Sequence, residues 1–182
     1  LVDLAPLLPP ELLQDVLAEA LTAARIIQDE SFRSTALSGL APHLPPEMLP
    51  DVLAEALAVA RGIEFEFDRA WTLSNLTPHL PSQLLPEAME IARGIQDEDA
   101  RAWALSTLAP HLPPELQSEV LTEALTAARS TQDEYSRSVA LSGLAPHLPA
   151  ELMPEVLEIA RGIQDEDVLA HALSGLAPYL PS

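Results

Sequence analysis

Apolar residues recur at helical spacing along the segment MLPDVLAEALAVARGI, which spans residues 48–63. Pro45-Pro46-Glu47 before it is typical of a helix start, because proline is tolerated in the first turn and an acid suits the positive end of the helix dipole. Pro50 places the start of the regular helix near residue 50. Gly62 followed by Ile63 predicts a left-handed cap with an apolar contact behind it. The apolar stripe consists of Leu49, Val52, Leu53, Leu57 and Ala60.

A second helix is predicted after a short acidic turn. In the segment QDEDARAWALSTLA, Asp97 is a natural N-cap, and the acids after it favour a helix start. The helix should end near Ala109, since the residue before Pro110 is excluded from helical geometry. Asp165 is predicted to be the N-cap of the equivalent helix in a later repeat. We name the first helix of each pair helix A and the second helix B. The apolar face of this helix B carries Ala104, Leu105, Leu108 and Ala109.

The A–B pair is repeated along the whole chain of 182 residues. The motif LAPHLP or a close variant begins at six positions, which are Leu4, Leu40, Leu76, Leu108, Leu144 and Leu176. A period of 32–36 residues is typical of stacked repeats that cannot bury their apolar faces alone. We therefore predict an all-α fold, an α-solenoid of stacked antiparallel helix–turn–helix repeats forming a single domain, 1–182. The predicted repeats are 4–39, 40–75, 76–107, 108–143 and 144–175, with partial units 1–3 and 176–182.

The repeat length alternates because two versions of helix A exist. PEAMEIARGI and PEVLEIARGI lack four residues that are present in PDVLAEALAVARGI. Four residues turn an α-helix by about 400°, so their deletion moves the apolar face by only ~40°. The alternation therefore supports a helical assignment for this segment.

Composition restricts the classes of partner. The formal net charge of −19 argues against nucleic acid and against anionic membrane surfaces, and it favours basic partners. Cysteine is absent, which is compatible with a cytoplasmic location. No apolar run reaches the roughly 18–20 residues that a membrane span needs. Because the chain starts at Leu1 without a signal peptide and has a partial repeat at both ends, we expect a fragment of a longer protein.

The repeats resemble tetratricopeptide and HEAT-like α-solenoids in their length, their Ala-Leu pattern in helix B and the proline at the inter-repeat turn. They resemble most closely the LAPHLPPELL-type helical arrays that follow the nucleotide-binding module in some bacterial STAND-type NTPases. The resemblance covers nearly the whole chain and implies a sensor or scaffold role in a bacterial protein. Helix A lacks the Trp-Leu-Gly-Tyr series of tetratricopeptide units. No nucleotide-binding loop is present, so any ATPase would lie outside this chain.

Recurrent polar residues have structural explanations, and we predict no metal site, no cofactor and no catalysis. Equivalent histidines in adjacent repeats lie on the order of 10 Å apart, too far to share one ion. The acidic turns lack the ligand pattern of a calcium loop and are explained by helix capping, with an acidic edge for a basic partner as the alternative. Two arginine series are expected to form ion pairs between repeats, with carboxylate or phosphate binding as the alternative. The chain has no thiol and no GxSxG, HExxH or phosphate-loop motif.

The recurrent residues of these classes are His43, His79, His111 and His147 in the turns; Arg25, Arg61, Arg93, Arg129 and Arg161 at the end of helix A; Arg33, Arg69, Arg101 and Arg137 at the start of helix B; and Ser38, Ser74, Ser106, Ser142 and Ser174 within helix B. The serines lie beside small residues such as Gly143, so we expect them to permit close helix approach.

The aromatic residues are the candidates for binding. Trp71 and Trp103 hold the same repeat position, whose counterparts are Thr35, Val139 and His171. A position that varies from Thr to Trp is not typical of a central core. Two interpretations remain open, a surface patch or a seam against the next helix A. The candidate protein-binding residues are Phe67, Trp71, Trp103 and Tyr135.

From these features we expect a non-catalytic protein- or peptide-binding scaffold or sensor module with a basic ligand. The alternative is a structural spacer or self-assembly element that stacks end to end.

Overall fold

The computed structural model describes residues 10–180, with side chains described from residue 14. Partial unit 1–3, the start of repeat 4–39 and the last two residues lie outside this range. Within it the chain is all-helical and has no strand, which confirms the all-α part of the predicted fold. The α-helices are α1 (Pro10–Arg25), α2 (Glu30–Leu40), α3 (Leu49–Gly62), α4 (Glu66–Leu76), α5 (Leu85–Arg93), α6 (Glu98–Leu108), α7 (Pro114–Ser130), α8 (Glu134–Leu144), α9 (Met153–Arg161) and α10 (Glu166–Leu176).

Helix lengths confirm that the four-residue deletion falls in helix A. The five helices B, which are α2, α4, α6, α8 and α10, have 11 residues each. Helix A has 16, 14 and 17 residues in α1, α3 and α7, but only 9 in α5 and α9. About one helical turn is therefore gained or lost while the apolar face moves by only ~40°.

Aspartate caps begin four of the five helices B. Asp29, Asp97 and Asp133 each accept a hydrogen bond from the backbone N–H three residues later, and Asp165 accepts from the N–H groups two and three residues later. These bonds satisfy amide groups that have no partner inside the helix. The predicted caps Asp97 and Asp165 are thus confirmed.

The predicted left-handed cap at the end of helix A is wrong. Among the described residues no glycine has a positive φ. The chain leaves α3 at Ile63, which is buried and extended (φ −61°, ψ 120°) and whose N–H donates to the carbonyl of Ala60 at 3.2 Å. Gly62 provides space instead, because a Cβ there would lie 2.9 Å from Oε1 of Glu30.

The arginines at the start of helix B, which we call the second arginine series, close the turn between helix A and helix B. Each guanidinium donates to the carbonyl oxygen of the residue six positions earlier. Arg33 bonds Ile27 at 3.2 Å, Arg69 bonds Ile63 at 3.0 Å and Arg101 bonds Ile95 at 2.9 Å, and Arg137 bonds Thr131 in the same way. These arginines therefore have a structural role, since they satisfy carbonyls that the end of helix A leaves unpaired.

Proline ends helix B where the sequence predicts. Helix α6 stops at Leu108, and residues Ala109–His111 form a 3-10 turn with Pro110 in its first positions. Three-residue 3-10 turns of the same kind follow α2, α4, α8 and α10.

The chain divides into two compact units, with the boundary between Ile91 and Ala92 inside α5. In the first unit, α2 packs against α1, α3 and α4, and α3 packs against α4. In the second unit, α8 packs against α6, α7, α9 and α10. Helices α2 and α8 thus each contact the next helix and the next but one along the chain within their own unit.

Leucine and alanine from both helix types form the core. Val52, Leu53, Ala56, Leu57 and Ala60 of α3 are buried, which confirms most of the predicted stripe, whereas Leu49 is half-buried. Burial of a leucine side chain contributes about 1.5–3 kcal/mol. No helix in the described range is both long and apolar enough to cross a membrane.

Small residues bring neighbouring helices B close together. A Cβ added at Gly175 of α10 would lie 2.5 Å from Oγ and 2.9 Å from Cβ of Ser142 in α8. At Gly143 of α8, the equivalent neighbour is Ser106 of α6, with 4.0 Å to its Oγ. The expectation that serine and glycine permit close helix approach is confirmed where α8 meets α10.

Candidate functional site

The candidate aromatics of the first unit lie at the start of α4 and are exposed. Phe67 is 48% exposed and Trp71 is 44% exposed. They are four residues apart and therefore lie on one face of the helix. Large aromatic groups with this exposure are available to a partner.

The sequence analysis missed Phe65, which is 74% exposed. Phe65 stands at the N-cap of α4, where the other helices B have Asp29, Asp97, Asp133 or Asp165, and its side chain forms no cap hydrogen bond. The residue therefore neither caps the helix nor packs in the core. The signal for Phe65 in the sequence is a phenylalanine at a repeat position where the other helices B have aspartate. We name Phe65, Phe67 and Trp71 the aromatic patch.

The second unit holds the other two candidate residues. Trp103 on α6 is half-buried, whereas Tyr135 at the start of α8 is 62% exposed. The Tyr135 ring stacks on His171 of α10, with ring centroids 6.3 Å apart and an interplanar angle of 28°. Nδ1 of His171 lies 2.8 Å from Oγ of the buried Ser138. A stacked and hydrogen-bonded pair is more rigid than a free aromatic side chain.

Carboxylates neighbour the aromatic patch in sequence. Glu64 and Asp68 are exposed and alternate in sequence with the two phenylalanines, and Glu66 between them is half-buried. Acidic groups around an apolar centre favour a ligand that combines apolar and basic groups.

Carboxylates of the acidic turns have perturbed pKa values for local reasons. Burial, followed by repulsion from Asp97, raises the pKa of Asp99 above its usual value. Hydrogen bonds from Ser136 lower the pKa of Asp133. Backbone hydrogen bonds from Asp165 and Gln164 lower the pKa of Glu134, whose carboxylate accepts both at 2.9 and 2.8 Å. The latter two groups stabilise turns, so their perturbation does not indicate catalysis.

The arginines at the end of helix A, which we call the first arginine series, form ion pairs between consecutive helices A. In each pair, the arginine at the end of one helix A binds a glutamate on the following helix A. That glutamate lies six residues before the arginine that ends its own helix. The partners are therefore not the acids of the turns. The pairs are Arg25–Glu55 at 2.8 Å, Arg61–Glu87 at 3.3 Å, Arg93–Glu123 at 2.7 Å and Arg129–Glu155 at 3.1 Å, and Arg93 also bonds Glu119 at 2.9 Å.

The remaining recurrent polar groups of the described residues are the histidines and serines. No three His, Asp or Glu side chains in residues 14–180 are grouped so that they could hold a metal ion. His43 and His79 are half-buried, and His111 and His147 are exposed. The hydroxyls of Ser38 and Ser106 donate to carbonyls of their own helices.

A cleft of about 320 Å³ in the second unit is lined by Arg93, Arg101, Leu105, Thr122, Glu123, Thr126 and Ala127. Its two guanidinium groups already bind Glu123 and the carbonyl of Ile95, respectively. The guanidinium groups of the cleft are therefore less available to a charged ligand. The exposed aromatic patch is the stronger candidate for binding.

Comparison of this chain with protein-family models, with curated proteins and with solved structures finds no match.

Proposed function

We propose that the chain is a non-catalytic scaffold or sensor module that holds a basic protein or peptide. In this proposal its repeats stack as an α-solenoid and present the aromatic patch to the ligand. The resemblance to sensor arrays of bacterial STAND-type NTPases fits such a role in a larger cytoplasmic protein.

The observation that carries the proposal is the exposure of three large aromatic side chains within seven residues. Aromatic side chains are the typical anchors of protein interfaces. Phe65 stands where an aspartate would cap α4, and a lost cap costs about 1 kcal/mol. A sequence that keeps phenylalanine there, exposed to solvent, gains nothing in folding from it, so binding is the better explanation.

Charge complements the apolar anchors. The net charge of −19 attracts basic ligands from a distance, and the carboxylates beside the patch favour Arg or Lys next to an apolar residue. The repetition of ion pairs, caps and turns supports the solenoid arrangement, because equivalent residues make equivalent contacts in successive repeats.

A random-peptide display library selected on the immobilised chain tests this function. We expect enrichment of peptides that combine Arg or Lys with aromatic or aliphatic residues. Trp71→Ala should weaken the binding of a selected peptide by about 30-fold, as expected for an interface anchor. Tyr179→Ala is the matched control, because Tyr179 is also 44% exposed but lies outside the patch. Selected peptides without basic residues, or binding unchanged by Trp71→Ala, would contradict the proposal.

A further inference from the structure

Helix α8 exposes one stripe of side chains although both neighbouring helices B pack against it. Tyr135 is 62% exposed and Val139 is 37% exposed, and they lie four residues apart on one face of the helix. Helix α8 packs against the preceding helix B, α6, and against the following one, α10. Because both neighbours are present, the exposure of this stripe is a property of the folded unit.

The residues of this stripe vary between repeats, whereas the residues around them recur. Asp133 at the cap, Arg137 at the turn and Leu141 in the core have the same role as their equivalents in most other helices B. The second position of helix B holds Ser31, Phe67, Asp99, Tyr135 or Asp167, and the sixth position holds Thr35, Trp71, Trp103, Val139 or His171. The fold therefore does not fix the residue at the second and sixth positions.

Two rings fill the place where these positions meet between α8 and α10. Tyr135, at the second position of α8, stacks on His171, at the sixth position of α10, with ring centroids 6.3 Å apart and an interplanar angle of 28°. Nδ1 of His171 also lies 2.8 Å from Oγ of Ser138. This place on the surface thus accommodates a stacked pair of planar groups.

The packing of α8 on α6 has the same register as the packing of α10 on α8. A Cβ added at Gly175 of α10 would meet Ser142 of α8, and a Cβ added at Gly143 of α8 would lie 4.0 Å from Oγ of Ser106 of α6. In both places the tenth position of one helix B faces the ninth position of the preceding helix B. The second position of α6 therefore lies beside the sixth position of α8, as in the stacked pair.

Between α6 and α8 the corresponding place holds a carboxylate and an aliphatic side chain, those of Asp99 and Val139. Trp103 follows Asp99 by four residues on the same face of α6 and is half-buried, and Tyr135 precedes Val139 by four residues on α8. Asp99 and Val139 are smaller than the two stacked rings, so a planar group of a ligand has room here, with an aromatic ring on either helix. We name Asp99, Trp103, Tyr135 and Val139 the α6–α8 site.

Charge identifies the planar group that fits this place. Among the described residues, Asp99 forms no ion pair with an arginine or a histidine. Burial and repulsion from Asp97 raise the pKa of Asp99, and Asp133 and Glu98 add to the repulsion. A cation bound at Asp99 would offset this repulsion. The guanidinium group of arginine is a planar cation that can form two hydrogen bonds to a carboxylate and stack on an aromatic ring.

We propose that the α6–α8 site binds an arginine side chain of a basic peptide, with the guanidinium group paired to Asp99 and an apolar neighbour of that arginine packed on Val139. Lysine fits this place less well, because its ammonium group is compact and not planar. The ligand class, a basic peptide, rests on the proposed function. The α6–α8 site itself lies in the second unit, whereas the aromatic patch lies in the first.

The two tryptophans of the chain lie one in each site, so fluorescence reports on the two sites separately. Trp103 is the single tryptophan of Trp71→Phe, and Trp71 is the single tryptophan of Trp103→Phe. The probe is a synthetic peptide of alternating arginine and leucine, and its control is the same peptide with citrulline, which has the shape of arginine without the charge. In Trp71→Phe, the arginine peptide should change the Trp103 fluorescence to saturation. The citrulline peptide should bind about tenfold more weakly.

Asp99→Asn tests the proposed pairing in the Trp71→Phe background. It should raise the dissociation constant of the arginine peptide by about tenfold, because the amide keeps the shape of the carboxylate and loses its charge. Asp51→Asn is the matched control, since it makes the same change in net charge at an exposed carboxylate in the other unit, and it should leave the constant unchanged. Val139→Trp should also block binding, because it fills the place with a ring that α4 and α6 carry at the equivalent position. Circular dichroism verifies that all variants remain helical.

Each outcome separates this proposal from the proposed function. Trp103 fluorescence that does not respond to the arginine peptide, or that responds equally to the citrulline peptide or in Asp99→Asn, would overturn the α6–α8 site. A response of Trp71 in Trp103→Phe without a response of Trp103 supports the aromatic patch and overturns the α6–α8 site. A response of Trp103 alone supports the α6–α8 site and contradicts binding at the aromatic patch.

Discussion

At the residue scale, the N-cap position of helix B differs in one repeat from the other four. Asp29, Asp97, Asp133 and Asp165 cap their helices, and Phe65 at the same position does not. The capping residues stabilise the start of helix B through one or two backbone hydrogen bonds. Phe65 is also the most exposed aromatic side chain in the described range. A substitution there can therefore change stability and binding in opposite directions.

We predict that Phe65→Asp stabilises the protein and weakens the binding of a patch-selected peptide. The new carboxylate would accept the N–H of Asp68, as Asp97 accepts that of Ala100, and add roughly 0.5–1 kcal/mol to the free energy of unfolding. Urea denaturation and peptide titration measure the two effects. Phe65→Ala is the control, which should weaken binding without the gain in stability. A destabilised Phe65→Asp protein would show that the phenylalanine packs in the fold.

At the element scale, the distance between neighbouring helices B is set by small residues. The contact between Ser142 and Gly175 leaves no room for a methyl group, whereas the contact between Ser106 and Gly143 does. Sequence analysis treats these two glycines as equivalent, because both precede the leucine that begins the LAP motif. Only the packing of α8 on α10 distinguishes them.

We predict opposite effects for alanine at these two positions. Gly175→Ala should lower the free energy of unfolding by about 1–3 kcal/mol, because the methyl group overpacks against the Cβ of Ser142. Gly143→Ala should raise it by roughly 0.5–1 kcal/mol, because alanine favours a helix and meets no close neighbour. Thermal and urea unfolding of the two variants measures the difference. Equal effects at both positions would contradict the close approach of α8 and α10.

At the scale of the whole molecule, charge opposes the fold at neutral pH. Twenty-eight acids and nine arginines leave a net charge of −19, and the isoelectric point is about 4.3. Each exposed arginine–glutamate pair contributes only about 0–1 kcal/mol, so these pairs offset the repulsion incompletely. Acidification to about pH 5 should therefore relieve repulsion before it disrupts specific bonds.

We predict a stability maximum near pH 5, with a steep loss below about pH 4. The pKa values of Glu134 and Asp133 are lowered in the folded state, so their stabilisation is complete above the ordinary values of 4.5 and 3.8 and is lost as the pH falls through the folded values. The raised pKa of Asp99 acts in the opposite sense, since its contribution is present below pH 3.8 and lost as the pH rises through its folded value. Melting temperatures at pH 3, 5 and 8 measure the profile. Added NaCl should raise the melting temperature at pH 8 and have little such effect near the isoelectric point.

The sequence by itself determined the helices, the aspartate caps and the ends of helix B at proline. These features depend on bonds between residues three or four apart and on the geometry of proline, which the local sequence contains. It did not determine the end of helix A, where a left-handed Gly62 was expected and the buried, extended Ile63 ends the helix instead. Tertiary structure also decided the partners of the first arginine series, which lie 26 or 30 residues away on another helix. The exposure of Phe65 depends on which neighbours cover the start of α4, and periodicity within one helix does not contain that information.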